Sequence, residues 1–158
     1  MEDIYLKATQ ILDFLRDIEL VVAELYQRFA IFFPTDRVFW EDLSADEANH
    51  AALVAELKNT LLKNGSPFEI RKVNLPALGA CRQGVQGQLN RLERGELGRK
   101  SALFVARDFE KMIIENRFYD AIQSEHPEYL VIKDKIRKET EFHLQKLDNY
   151  IKTLFPLW

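Results

Sequence analysis

Apolar residues recur in this chain at three- and four-residue intervals over runs of about thirty residues, and prolines close the first and third of them. From Ile4 to Phe33 the stripe passes through Ala8, Leu12, Leu15, Val22, Tyr26 and Phe33, the spacing of one helix face. Pro34 ends this run, and Thr35 or Asp36 stands where the next helix needs a cap. A second run, through Trp40, Leu43, Ala51, Val54 and Leu61, reaches Asn64, with Gly65 at the stop position. A third, from about Ser101 to Glu125, turns Val105, Phe109, Met112, Tyr119 and Ile122 inward, and His126-Pro127 breaks it. A fourth carries Ile136, Leu147, Tyr150 and Leu154 on its inner face. The pattern predicts one domain of 158 residues with helices over about 3–33, 36–64, 101–125 and 127–154, each roughly 40 Å long.

Residues 65–100 are different. They hold all six glycines and seven Lys or Arg residues against Glu69, Glu93 and Glu96. They read as a long connection with a short helix near Leu75–Glu93. The tight breaks at Pro34 and Pro127 make each flanking pair a helical hairpin. The expected fold is therefore all-α: a ferritin-like four-helix bundle of two antiparallel hairpins joined by a crossover over 65–100. The basic residues of that crossover lack the interleaved aromatic residues of a single-strand binder, so they read as a solvated link and not as a nucleic-acid surface.

Composition removes several function classes. Charged residues make up 30%, hydrophobic residues 47%, and the net charge is −3, the balance of a soluble globular protein and not of a polyanion binder. No stretch of 18 apolar residues occurs, so no membrane span is expected. Glu2, Asp3 and Asp13 are out of place in a secretory signal, and a cytoplasmic location is expected. Cys81 is the only cysteine. This excludes an internal disulfide, a paired-cysteine redox motif and an iron–sulfur or four-cysteine site built from this chain alone.

The two hairpins repeat one another. A shift of 93 residues places Tyr26 on Tyr119, Pro34 on Pro127, Leu43 on Ile136, Asp46 on Glu139 and His50 on His143, which suggests a pseudo-twofold arrangement. Ionisable residues interrupt the apolar stripes. Glu19 follows Leu15 by four residues, and Glu47 follows Leu43 by four, with His50 three further on. Glu115 follows Met112 by three, and His143 follows Ile136 by seven. Same-face spacing aims three carboxylates and two imidazoles at the middle of the helices. Unpaired buried carboxylates are strongly unfavourable, and a divalent cation would neutralise them together. Mixed carboxylate and imidazole ligands suit iron, manganese or zinc. Taken singly, each of these residues reads more simply as a solvated or hydrogen-bonded side chain.

The stretch from Glu19 through Tyr26 to Ala30 resembles the first helix of rubrerythrin-like members of the ferritin-like superfamily, and Phe39-Trp-Glu-Asp-Leu-Ser-Ala-Asp-Glu47-Ala-Asn-His50 resembles their second. The resemblance implies a dinuclear iron site with one Glu on each of the first and third helices and Glu-x-x-His on the second and fourth. Glu19, Glu47 and His50 match the first half. In the second half the shift meets Met112 and Thr140 where glutamates belong, His143 matches, and Glu115 resembles an extra glutamate of the third helix. Paired metals, about 3.5–4 Å apart, need bridging carboxylates, so one ion is expected in preference to two, held by Glu19, Glu47, His50, Glu115 and His143. The resemblance further implies peroxide reduction or ferrous iron oxidation, a homodimer, and a separate electron donor, since this chain lacks the cysteines of an attached iron domain. The alternative is a non-catalytic helical bundle with a vestigial, metal-free site.

Overall fold

The computed structural model describes residues 2–63, 65, 67–72 and 74–156. Among the described residues the secondary structure is helical apart from one pair of three-residue strands. Helix α1 spans Glu2–Phe32, α2 Arg37–Lys63, α3 Leu75–Glu93, α4 Arg99–Glu115 and α5 Pro127–Leu154; β1 is Phe68–Ile70 and β2 Ile122–Ser124. Among the described residues no helix is long and apolar enough to cross a membrane. Asn64, the expected end of the second helix, lies outside the described residues, as do Leu157 and Trp158.

Three of the four expected bundle helices keep nearly their expected bounds, and the third does not. α4 stops at Glu115, ten residues short of the expected Glu125. Arg117 takes a left-handed conformation (φ 51°), which ends a helix as glycine commonly does. A 3₁₀ turn over Phe118–Asp120 follows. β2 then pairs antiparallel with β1, setting Phe68 opposite Ser124 and Ile70 opposite Ile122. The crossover is therefore tied back onto the segment that was expected to be helix. Its own helix, α3, is capped by Asn74, whose side chain accepts a hydrogen bond from the Ala77 N–H at 3.0 Å, and is followed by Gly95 at φ 71°.

Side-chain contacts give the helix directions. Ser44 donates to the Ala23 carbonyl, while Lys58 reaches back to Asp13; α1 and α2 are antiparallel. Phe39 stacks on Tyr150, Asp46 meets His143 and His50 meets Glu139, so α2 and α5 are antiparallel too. α4 packs on α5, and α3 covers α1. The core runs between them: Leu12, Leu15, Leu25, Trp40, Leu43, Leu57, Leu103, Ile136 and Leu147 are buried. Trp40 sits in an aromatic group with Tyr26 and Phe29, at ring-centroid distances of 5.4 and 4.8 Å.

Asp36 fastens the α1–α2 corner to the far helices. Its buried carboxylate accepts from Arg99 Nε at 2.7 Å and Nη2 at 2.8 Å, and from the Tyr150 hydroxyl at 2.5 Å. The Arg99 hydrogen bonds hold its carboxyl below the ordinary range, against the effect of burial. Asp36→Ala would leave Arg99 and Tyr150 unpaired. Arg99 is 38% exposed, which discounts the loss to about 2 kcal/mol. The expected fall in Tm is roughly 4–8 °C for a chain of this size. A group with a depressed folded-state pKa stabilises above its unfolded pKa and loses that contribution as pH falls. Thermal melts should therefore show the gap between wild type and variant closing as pH falls below about 4.

Candidate metal centre

Four helices each deliver an ionisable side chain to one buried point. Glu19 comes from α1, Glu47 and His50 from α2, Glu110 from α4 and His143 from α5, and each is only 1% exposed. Glu47, His50 and His143 each present a ligand atom within 4.8 Å of the others. The two imidazoles stack with centroids 4.9 Å apart.

Their orientation is set from outside. His50 Nε2 lies 2.8 Å from Glu139 on α5, and His143 Nε2 lies 3.1 Å from Asp46 on α2. Each helix thus supplies the carboxylate that holds the other helix's imidazole. Both Nδ1 atoms are left facing inward. His143 Nδ1 is 2.9 Å from Glu47 Oε1 and 3.9 Å from Glu110 Oε1. His50 Nδ1 is 3.4 Å from Glu47 Oε2 and 3.7 Å from Glu19 Oε2. Glu47 therefore presents one oxygen to each imidazole, with Glu19 beside one and Glu110 beside the other. Two tyrosines complete the reciprocity: Tyr26 on α1 donates to Glu110 at 3.0 Å, and Tyr119, just after α4, donates to Glu19.

Glu19, Glu47, His50 and His143 are where the sequence pattern aims them. Glu115 is not: it is exposed in the last turn of α4, and Glu110 brings the α4 carboxylate instead. Burial shows the true inner stripe of α4 to be Ala102, Leu103, Ala106, Phe109, Glu110 and Ile113. Glu110 follows Ala106 by four residues and Leu103 by seven, a spacing the sequence displays. The expected stripe through Val105 and Met112 is rotated away from it, and those two residues are only partly buried. Thr140, at the shifted position of Glu47, is buried and spends its hydroxyl proton on the Ile136 carbonyl at 2.8 Å.

Comparison with known proteins finds no matching family model, curated protein or solved structure.

The electrostatics are those of crowded acids. Burial, reinforced by the charge of Glu19, pushes the Glu47 carboxyl up to about 8. Burial and Glu47 raise Glu110 well above the carboxylate range. Glu19 experiences the same burial, but the adjacent Glu47 and His50 and the hydrogen bond from Tyr119 outweigh it and hold its carboxyl low. Burial alone would favour neutral His50, yet Glu19 and Glu47 raise it to about 11. Both tyrosine hydroxyls are raised by burial and by the adjacent carboxylates. Glu19 Oε2 and His50 Nδ1, both buried, lack a good hydrogen-bond partner. Such orphaned atoms are rare in folded proteins. A cation among them would satisfy both, and the Glu/His donor set fits a transition metal.

Proposed function

We propose that this chain is a ferritin-like four-helix metalloprotein related to rubrerythrin, whose carboxylate–histidine cluster holds iron and serves an oxidoreductase reaction, the reduction of peroxide or the oxidation of ferrous iron. The observation that carries the reading is the pair of imidazoles turned inward on Nδ1 by Glu139 and Asp46, toward three buried carboxylates. Histidine ligands to metals are characteristically held by such outer carboxylates. Bound iron would supply one-electron redox chemistry, for which no carboxylate or imidazole of this cluster can substitute. The residues would divide the remaining work. Glu19, Glu47, Glu110, His50 and His143 hold the ion; Tyr26 and Tyr119 fix two of the carboxylates; the surrounding core excludes water. Electrons would come from a separate donor, because Cys81 alone builds no relay.

Glu110 favours a second ion. With it, the cluster divides into Glu19–His50 and Glu110–His143 half-sites that share Glu47. One divalent ion against three carboxylates leaves one negative charge, and two leave one positive charge. Charge balance is therefore equal for either number, and the half-site layout points to two.

The test is anaerobic reconstitution of the metal-free protein with ferrous iron, followed by elemental analysis. One to two irons per chain are expected, with loss of uptake in a His50→Ala/His143→Ala variant that retains its helical circular dichroism. Loaded protein should then consume hydrogen peroxide when given a reductant, or oxidise added ferrous iron. A protein that takes up neither iron, manganese nor zinc would leave the non-catalytic bundle as the reading.

A further inference from the structure

Beside the cluster, between α4 and α5, lies a hollow of about 310 Å³. It exists because α4 ends early: the left-handed Arg117 turns the chain aside, and Tyr119 returns over the gap. That volume is roughly ten times a water's share of the liquid, ~30 Å³. It lies at the lower end of ligand pockets, about 300–1,000 Å³. Its inner wall is made by Ile113, Ile114, Tyr119 and Thr140. Tyr119 spans both places, since it lines the hollow and its hydroxyl donates to Glu19.

The mouth is charged, and each of its charged side chains is engaged in an ion pair. Asp120 takes Arg117 Nε at 2.7 Å and Lys133 Nζ at 2.9 Å. Arg137 is held by Asp134 at 2.6 Å and by Glu141 at 3.1 Å. A charged ligand would have to compete with these pairs for their partners or enter an apolar wall unpaired, which is unfavourable. A neutral ligand does neither.

The geometry points to this hollow as a binding site for an uncharged organic molecule of one or two rings, seated against Ile113, Ile114 and Tyr119 and sensed at the cluster through the Tyr119–Glu19 hydrogen bond. The link to the cluster rests on the metal-centre reading; binding itself does not.

The experiment uses metal-free full-length protein with isoleucine methyl labelling, titrated with three probes that share one ring: benzyl alcohol, benzoate and benzylamine. Saturable shifts of the Ile113 and Ile114 methyls are expected with benzyl alcohol, and at least ten-fold weaker binding of the two charged probes. Arg137→Trp, on the exposed rim, should plug the mouth and weaken binding at least ten-fold. Ile114→Trp should do the same from the opposite wall. The inference is overturned if no saturable shift appears, if benzoate or benzylamine binds as tightly as benzyl alcohol, or if both tryptophan variants bind unchanged. Metal uptake is measured on separate samples, so a failed titration and a failed metal centre are told apart.

Discussion

Glu47→Gln is expected to abolish high-affinity metal uptake while making the metal-free protein more stable. Glu47 is the carboxylate shared by both imidazoles, at 2.9 Å from His143 and 3.4 Å from His50, and an amide cannot neutralise a cation there. Saturating wild type with metal at a thousand times Kd adds about 4 kcal/mol, or roughly 8–16 °C in Tm. The variant should lose that increment. In metal-free protein the sign reverses. The folded-state pKa of Glu47, about 8, lies above that of an unfolded glutamate. The folded chain therefore binds the extra proton between those values, and stability falls as pH rises through the interval. Above about 8 the cost is constant. Glutamine removes most of this cost and leaves an imperfectly paired amide, for a net gain of about 1–3 kcal/mol at neutral pH. Differential scanning calorimetry with and without metal reads both effects. Equal Tm values for wild type and variant in both conditions would refute the prediction. A further consequence is proton release: metal must displace the protons of Glu47 and of Nδ1 of His50, whose pKa is raised to about 11, so apparent affinity rises with pH.

The residues that reveal this centre in the sequence are those on uninterrupted helices. α2 and α5 are both continuous past the cluster, so the 93-residue shift transfers His50 to His143 and Asp46 to Glu139, and the structure joins these residues across the two helices. Pro34 marks the α1–α2 corner for the same reason, whereas Pro127 marks only the start of α5, since the third helix has already ended at Glu115. α4 breaks the rule. Between Glu115 and Pro127 the chain passes through a left-handed residue, a 3₁₀ turn and a strand. The 93-residue shift, carried from α1 across to α4, therefore places Glu19 on Met112, and Glu115 is selected three residues further on. Glu19 corresponds to Glu110, an offset of 91 residues, two fewer than the hairpin repeat. Local periodicity within α4 contains the answer, because Leu103, Ala106, Glu110 and Ile113 share a stripe. The three-residue strands could not be read at all: Phe68–Ile70 and Ile122–Ser124 are too short to show alternation, and only their pairing defines them. Asp36 was legible as a candidate cap, but it serves instead as a buried acceptor for Arg99 and Tyr150. That use depends on residues 63 and 114 positions away, and no local pattern announces it.

Asp46→Ala and Glu139→Ala should each weaken metal binding by about 10–100-fold, although neither carboxylate belongs to the inner cluster. Each holds Nε2 of one imidazole, at 3.1 and 2.8 Å, and so keeps that ring's Nδ1 turned inward. Without the anchor the ring gains a second orientation and its nitrogen becomes a weaker base. The two anchored imidazoles stack 4.9 Å apart and share Glu47, so the two costs are coupled, and the double variant should lose more affinity than either single variant without the losses simply multiplying. Competition titration against a chelator of known affinity measures the loss. Asp46→Asn separates orientation from charge: its side-chain oxygen still accepts from Nε2, so affinity should recover partly toward wild type, while Asp46→Ala recovers none. Both anchors are only partly buried, with side chains 43% and 37% exposed. The metal-free variants should therefore melt within a few degrees of wild type, since surface-accessible ion pairs contribute about 0–1 kcal/mol. A large fall in metal affinity with a small change in Tm marks a positioning role. The converse, a large fall in Tm with affinity unchanged, would mean that Asp46 and Glu139 only brace α2 against α5.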